Sequence, residues 1–190
     1  MKAKKGSQFE RAICERLSQW WAQDKNVTDL FWRTAGSGGR ATTRRKSGKS
    51  TSGHAGDITN TSQEGFGLIS KITLELKRGY PRANICAMLD KSSNAKHQEI
   101  ELFIKQAITS AKESKTFPNW VVIYKKDRRE TIILLPGKLF FRLGLGCLEW
   151  TRKLKFDSAV GVKKFSVIAV LLEEFFTNCH PDFVKRLKQE

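Results

Sequence analysis

The stretch Ile72-Thr73-Leu74-Glu75-Leu76-Lys77, taken with Gly56-Asp57-Ile58 upstream of it, carries the most informative pattern in this 190-residue chain. In a β-strand successive side chains face opposite sides, so Leu68, Ile72, Leu74 and Leu76 fall on one face and Thr73, Glu75 and Lys77 on the other. The leucine face predicts a place in the core. Glu75 and Lys77 then share a face, about 6.8 Å apart at roughly 3.4 Å per residue, with both charges aimed at one region. The plainer alternative is an ion pair on the exposed face of a half-buried strand. Asp57 adds a second carboxylate where a glycine leads into a short strand, which is expected to pair with 68–77 through a turn at Ser62-Gln-Glu-Gly65. Standing alone, Asp57 would be read as a turn aspartate.

Two carboxylates and a lysine form a recognisable chemical set. Carboxylate oxygens are hard ligands suited to Mg2+, which is typically held by one or two protein carboxylates together with phosphate oxygens and water. A lysine beside such an ion can orient the attacking water or neutralise charge developing on a phosphate. In these residues the chain resembles the PD-(D/E)xK nuclease superfamily, with Asp57 as the motif aspartate and Glu75-Leu76-Lys77 as E-x-K. The resemblance implies metal-dependent phosphodiester hydrolysis. It also implies that Asp57, Glu75 and the Leu76 backbone carbonyl hold Mg2+, with Mn2+ as a substitute. A second E-x-K, Glu113-Ser-Lys115, lacks strand parity and an upstream aspartate and reads as a solvated helix end. Gly56 stands where the motif often has proline, which leaves the strand entry less rigid and changes no ligand.

Towards the N-terminus, Ser7-Gln-Phe-Glu10 fits a capping box opening a helix that buries Phe9, Ile13, Leu17 and Trp20. The same region, Lys5-Gly-Ser-Gln-Phe-Glu-Arg11, resembles the opening of archaeal-type Holliday-junction resolvases. That likeness implies a metal role for Glu10 and spans roughly residues 5–135. Those resolvases also carry an Arg and a Gly-Ser-Gly before the motif aspartate, which implies phosphate contacts for Arg33 and Ser37. Between them and Asp57, the run 36–53 holds Arg40, Arg44, Arg45, Lys46 and Lys49 with no acidic residue, among Gly, Ser and Thr. Such a segment cannot build a core and is expected to be mobile when free and to bind nucleic acid together with Lys5. His54 is a further loop residue that could reach a phosphate.

Composition points the same way. Lys plus Arg outnumber Asp plus Glu by 35 to 19, a net charge of +16, which favours a polyanionic partner. No apolar run approaches the ~20 residues needed to cross a bilayer, and no signal-peptide core is visible, so no membrane partner and a cytoplasmic location are expected. The four cysteines, Cys14, Cys86, Cys147 and Cys179, show no C-x-x-C spacing and suggest neither a disulfide framework nor a zinc ribbon.

Further along, Leu30–Arg33 reads as a first strand and 94–114 as an amphipathic helix burying Ile100, Phe103, Ile104, Ala107, Ile108 and Ala111. Trp120–Tyr124 and Thr131–Leu135 read as strands joined by a basic hairpin. A long apolar helix is expected near 164–177, packed on the core or at a subunit interface. The expected fold is therefore α/β, a restriction-endonuclease-like core with a central mixed β-sheet flanked by helices. The core spans 1–136 and a mixed C-terminal extension spans 137–190. The expected protein is a Mg2+-dependent DNA endonuclease, structure-selective like a junction resolvase and hence tied to recombination or repair, acting as a homodimer on duplex or branched DNA. A restriction or nicking endonuclease on the same core is the alternative within enzymes, and a non-cutting DNA-binding protein is the alternative outside them.

Overall fold

A computed structural model describes residues 5–34, 56–85, 98–145, 152–156 and 165–188, with the backbone alone at Lys5, 152–156 and Phe165. The chain opens with helix α1 (Lys5–Ala22), then β1 (Phe31–Arg33), β2 (Ile58–Asn60), α2 (Gln63–Ile69) and β3 (Thr73–Arg78). There follow α3 (Glu99–Glu113), β4 (Trp120–Lys125), β5 (Thr131–Pro136) and α4 (Gly137–Arg142). The last elements are β6 (Arg152–Phe156), β7 (Phe165–Leu171), α5 (Leu172–Asn178) and α6 (Pro181–Lys185).

The main sheet has five strands in the order β3-β4-β5-β7-β6. β3 and β4 are parallel, which requires a crossover, and α3 supplies it; the remaining pairs are antiparallel. Alternation along each strand divides the core in two. Leu74, Leu76, Val121, Ile123, Ile133, Leu135, Ile168 and Val170 pack with α1, α4, α5 and α6 on one face. Trp120, Val122, Tyr124, Leu134 and Val167 pack on the other with the α3 stripe Ile100, Phe103, Ile104, Ala107, Ile108 and Ala111. The molecule is thus a mixed sheet with helices on both faces. No helix among the described residues is long and apolar enough to cross a membrane.

Three sequence expectations need correction. The predicted hairpin between 58–60 and 68–77 does not form: β2 pairs with β1, and the expected turn lies next to and within the short helix α2, which carries Leu68. Two glycines in a seven-residue helix argue against it by propensity, at about 1 kcal/mol each. Packing decides otherwise, because a Cβ on Gly65 would lie 2.6 Å from the Leu30 carbonyl oxygen and one on Gly67 2.9 Å from the Trp21 ring. The glycines let α2 seat directly on β1 and α1.

The expected long helix at 164–177 is a strand followed by a helix, β7 then α5. β7 lies between β5 and β6, with Val167, Ile168 and Val170 buried, so it shows the continuous apolar run of a doubly covered strand. The third correction concerns the first helix, which begins at Lys5. Ser7 therefore lies inside its first turn and is not the N-cap of a capping box with Glu10. The reciprocal box occurs at the start of α3, where the Gln98 backbone N–H donates to Glu101 Oε2 at 2.6 Å.

Candidate active site

β3 is an edge strand whose Glu75 and Lys77 point to the α3 face while Leu74 and Leu76 point to the α1 face. Neither charge is solvated in the ordinary way: Glu75 is 1% exposed and Lys77 7%. Burying charges at this depth is costly unless they are paired and hydrogen-bonded, and both are. Lys77 Nζ donates to Glu75 Oε2 at 2.9 Å. From α3, Gln106 Nε2 donates to the same oxygen at 2.9 Å and Ser110 Oγ donates to Glu75 Oε1 at 2.7 Å.

Asp57 reaches this group from the open edge of β3. Its backbone N–H donates to the Leu74 carbonyl at 2.9 Å, and its Oδ2 accepts the Leu76 N–H at 2.8 Å. Thr34 N–H in turn donates to the Asp57 carbonyl at 2.9 Å, so Asp57 links the small β1-β2 sheet to the main sheet. Asp57 Oδ2 lies 3.6 Å from Lys77 Nζ. In a strand the N–H and C=O of one residue point to the same side, so the Leu76 carbonyl also faces the Asp57 edge. Gly56 makes the entry possible. It adopts φ +94°, and a Cβ there would stand 2.9 Å from the Leu74 oxygen. The position that was expected to loosen the strand entry is therefore a closely fitted one.

Glu10 and Arg33 meet at the rim of the site, Arg33 Nη1 to Glu10 Oε2 at 3.3 Å. Their meeting follows from how α1 and β1 are joined: the Ser18 hydroxyl donates to the Cys14 carbonyl at 2.9 Å and accepts the Phe31 N–H at 3.2 Å. This fixes the strand against the helix.

Among the described residues the electrostatics follow from three carboxylates, Glu10, Asp57 and Glu75, and two cations, Arg33 and Lys77. Burial, reinforced by the Asp57 charge, pushes the Glu75 carboxyl up to about 7 despite Lys77 and its hydrogen bonds. Glu10 is raised by burial and by Asp57, with Arg33 and Lys77 acting against the shift. Burial alone would lower the Lys77 ammonium, yet Glu75 and Asp57 together hold it above the usual lysine value. Asp57 and Glu75 thus already share one cation, the Lys77 ammonium. Their hard oxygens, with the Leu76 carbonyl on the same edge, are the donor set that Mg2+ takes, and two carboxylates suffice for it. Among the described residues no three His, Cys, Asp or Glu side chains are gathered to hold an ion as they stand. The third carboxylate, Glu10, is instead paired with Arg33.

Glu10, Arg33, Asp57, Glu75, Leu76 and Lys77 are therefore in one neighbourhood. Ser37, Arg40, Arg44, Arg45, Lys46, Lys49 and His54 lie outside the described residues, as does the side chain of Lys5. Glu113 and Lys115 of the second E-x-K are exposed at the end of α3. Cys14 and Cys179 are buried free thiols, each pushed by burial up to about 12, and His180 caps α6 by accepting the Asp182 N–H. Sequence reading missed Gln106 and Ser110. Their signal was faint: two polar residues four apart, at the border of the α3 apolar stripe.

A family model described as "Phage putative PDDEXK endonuclease" matches residues 1–186. No curated protein and no solved structure gives a match. The α/β sheet flanked by helices agrees with the restriction-endonuclease-like core of such enzymes.

Proposed function

The chain belongs to the phage PDDEXK endonuclease family, and we propose that it is a Mg2+-dependent DNA endonuclease, selective for branched DNA in the manner of the junction resolvases that Lys5–Arg11 and the Gly-Ser-Gly at 36–38 resemble. The observation that carries the metal-site reading is the sharing of Lys77 Nζ between Glu75 Oε2, at 2.9 Å, and Asp57 Oδ2, at 3.6 Å. Two buried carboxylates that share one cation on the open edge of a strand are suited to share a divalent one. Mg2+ or Mn2+ would supply charge neutralisation at the phosphate and an acidified water.

The chain's own residues divide the remaining work. Asp57, Glu75 and the Leu76 carbonyl present oxygen ligands, and Glu10 adds negative charge at the rim, acting directly or through water. Lys77 holds the attacking water in line and moderates the negative charge that develops on the phosphate. Arg33 and the basic 36–53 segment position the backbone of the substrate and carry little sequence information. A homodimer would present two such sites to the two strands of a branched duplex.

The test is incubation of the purified protein with a four-way junction, the corresponding linear duplex and a single strand, in Mg2+ and in EDTA. Cleavage of the junction in Mg2+ alone is expected. Equal cutting of linear duplex removes the structural selectivity and favours a restriction or nicking enzyme. Tight binding without cutting in any metal leaves a DNA-binding protein.

A further inference from the structure

Along α3, Gln106, Ser110 and Ser114 recur every four residues and so share one helix face. Along β3, Thr73, Glu75 and Lys77 recur every two and share the strand face opposite it. Helix and strand meet in antiparallel register. Ser114 Oγ pairs with Thr73 Oγ1 at 2.6 Å, while Ser110 and Gln106 reach Glu75 at 2.7 and 2.9 Å. The spacings match, since one helical turn of four residues advances about 6 Å and two strand residues about 6.8 Å. Thr116 joins the far end, its hydroxyl 2.6 Å from Thr73 Oγ1, and Ser114 Oγ also donates to the Ser110 carbonyl at 2.9 Å. The result is a polar seam in an otherwise apolar helix-sheet contact.

The seam has two parts with different tasks. Among the described residues the hydroxyl cluster of Thr73, Ser114 and Thr116 bonds to no charged group, and it holds the helix end to the start of the strand. Gln106 and Ser110 touch Glu75 itself. Together with Lys77 they place three donors on its two oxygens. Among the described residues Oε2 receives two and Oε1 receives one. A carboxylate filled in this way cannot turn about its last torsion without breaking a bond.

We propose that Gln106 and Ser110 are positioning residues that fix the Glu75 carboxylate for a divalent cation. The inference rests on the metal-site reading above and deepens it. Groups that orient a ligand in this way typically contribute 10–100-fold in metal affinity.

The test is calorimetric titration of Mn2+ into the DNA-free full-length chain, with DNA affinity measured separately in EDTA. Ser110→Ala is expected to weaken Mn2+ binding about 10-fold and to raise the Mg2+ needed for half-maximal cleavage in parallel, with DNA affinity in EDTA unchanged. Ser110→Thr keeps the hydroxyl and is expected to restore both. Ser114→Ala opens only the hydroxyl cluster and is expected to leave Mn2+ affinity as it was. Where Ser110→Ala does not fold, Gln106→Leu gives the same reading by removing the other donor at similar volume. Wild-type Mn2+ affinity in a folded Ser110→Ala or Gln106→Leu protein overturns the inference, and so does an equal loss in Ser114→Ala. A wild-type chain that neither binds Mn2+ nor cuts DNA overturns the metal-site reading, and this inference with it.

Discussion

The backbone N–H of Leu76 donates to the carboxylate of Asp57 at 2.8 Å, so a side chain from the start of β2 occupies a hydrogen-bonding position on the open edge of β3. Asp57 is therefore both a candidate ligand and a piece of sheet. Asp57→Ala is expected to cost about 1–3 kcal/mol by leaving a buried N–H unsatisfied, and to abolish cutting. Asp57→Asn retains an acceptor oxygen, so it should melt close to wild type while turnover falls about 100-fold or more. Thermal melts beside plasmid cleavage separate the two roles; full cutting by Asp57→Asn would remove Asp57 from the metal site.

Glu75→Ala and Lys77→Ala are each expected to lower turnover far more than DNA affinity, because the interactions they remove act chiefly in the transition state. Gel-shift affinity in EDTA should change little. Normal cleavage by Glu75→Ala would sink the assignment.

Glu75 also predicts a pH dependence. Its carboxyl is raised from 4.5 to about 7 in the folded protein, so the folded state binds the extra proton between those values. The stabilisation is complete below about pH 4.5 and is lost as the pH climbs through 7. Glu10, raised likewise, acts in the same direction. Metal-free protein should therefore lose melting temperature between pH 5 and pH 8, and the slope should flatten in Glu75→Gln. A Glu75→Gln protein with the wild-type slope would show that another group titrates in that range.

For Glu10, the ion pair with Arg33 replaces the capping role as the structural alternative. The pair is partly exposed and contributes modestly to stability. Glu10→Gln should leave the melting temperature nearly unaltered while cleavage falls and the Mg2+ requirement rises. If Glu10→Gln cuts normally at low Mg2+, the site reduces to Asp57, Glu75 and Lys77.

The basic segment is tested in solution. Replacing Arg44, Arg45 and Lys46 by alanine should weaken binding to all sequences alike. It should also flatten the slope of log affinity against log salt by roughly 0.9 for each duplex phosphate that is no longer neutralised. An unchanged slope would mean that these charges do not touch the backbone.

The parts of the site that the sequence disclosed are those fixed by short-range periodicity. Glu75 and Lys77 share a face because strand parity allows nothing else, and the α3 stripe is buried as its spacing requires. Asp57 was legible as a residue and illegible as a geometry. Its partner strand depends on Gly65 and Gly67 seating a helix against Leu30 and Trp21, a tertiary contact that local propensity opposes. Val167, Ile168 and Val170 misled for a related reason, since a strand covered on both faces has no alternation to read. Gln106 and Ser110 gain their meaning only from the strand opposite them.

The place of β7 in the sheet bears on how this protein could be dissected or recombined. Residues 167–171 pair with β5 along its length, from Ile132 opposite Leu171 to Pro136 opposite Val167. A fragment ending at Pro136 would retain Asp57, Glu75 and Lys77 and yet expose a bare apolar edge at β5, a template for pairing with other chains. Such a truncation should aggregate rather than yield a minimal nuclease. On the ribosome, likewise, the sheet stays open until about residue 171 has cleared the exit tunnel. Asp57, Glu75 and Lys77 thus sit in a sheet whose closure depends on a strand about ninety residues further along the chain.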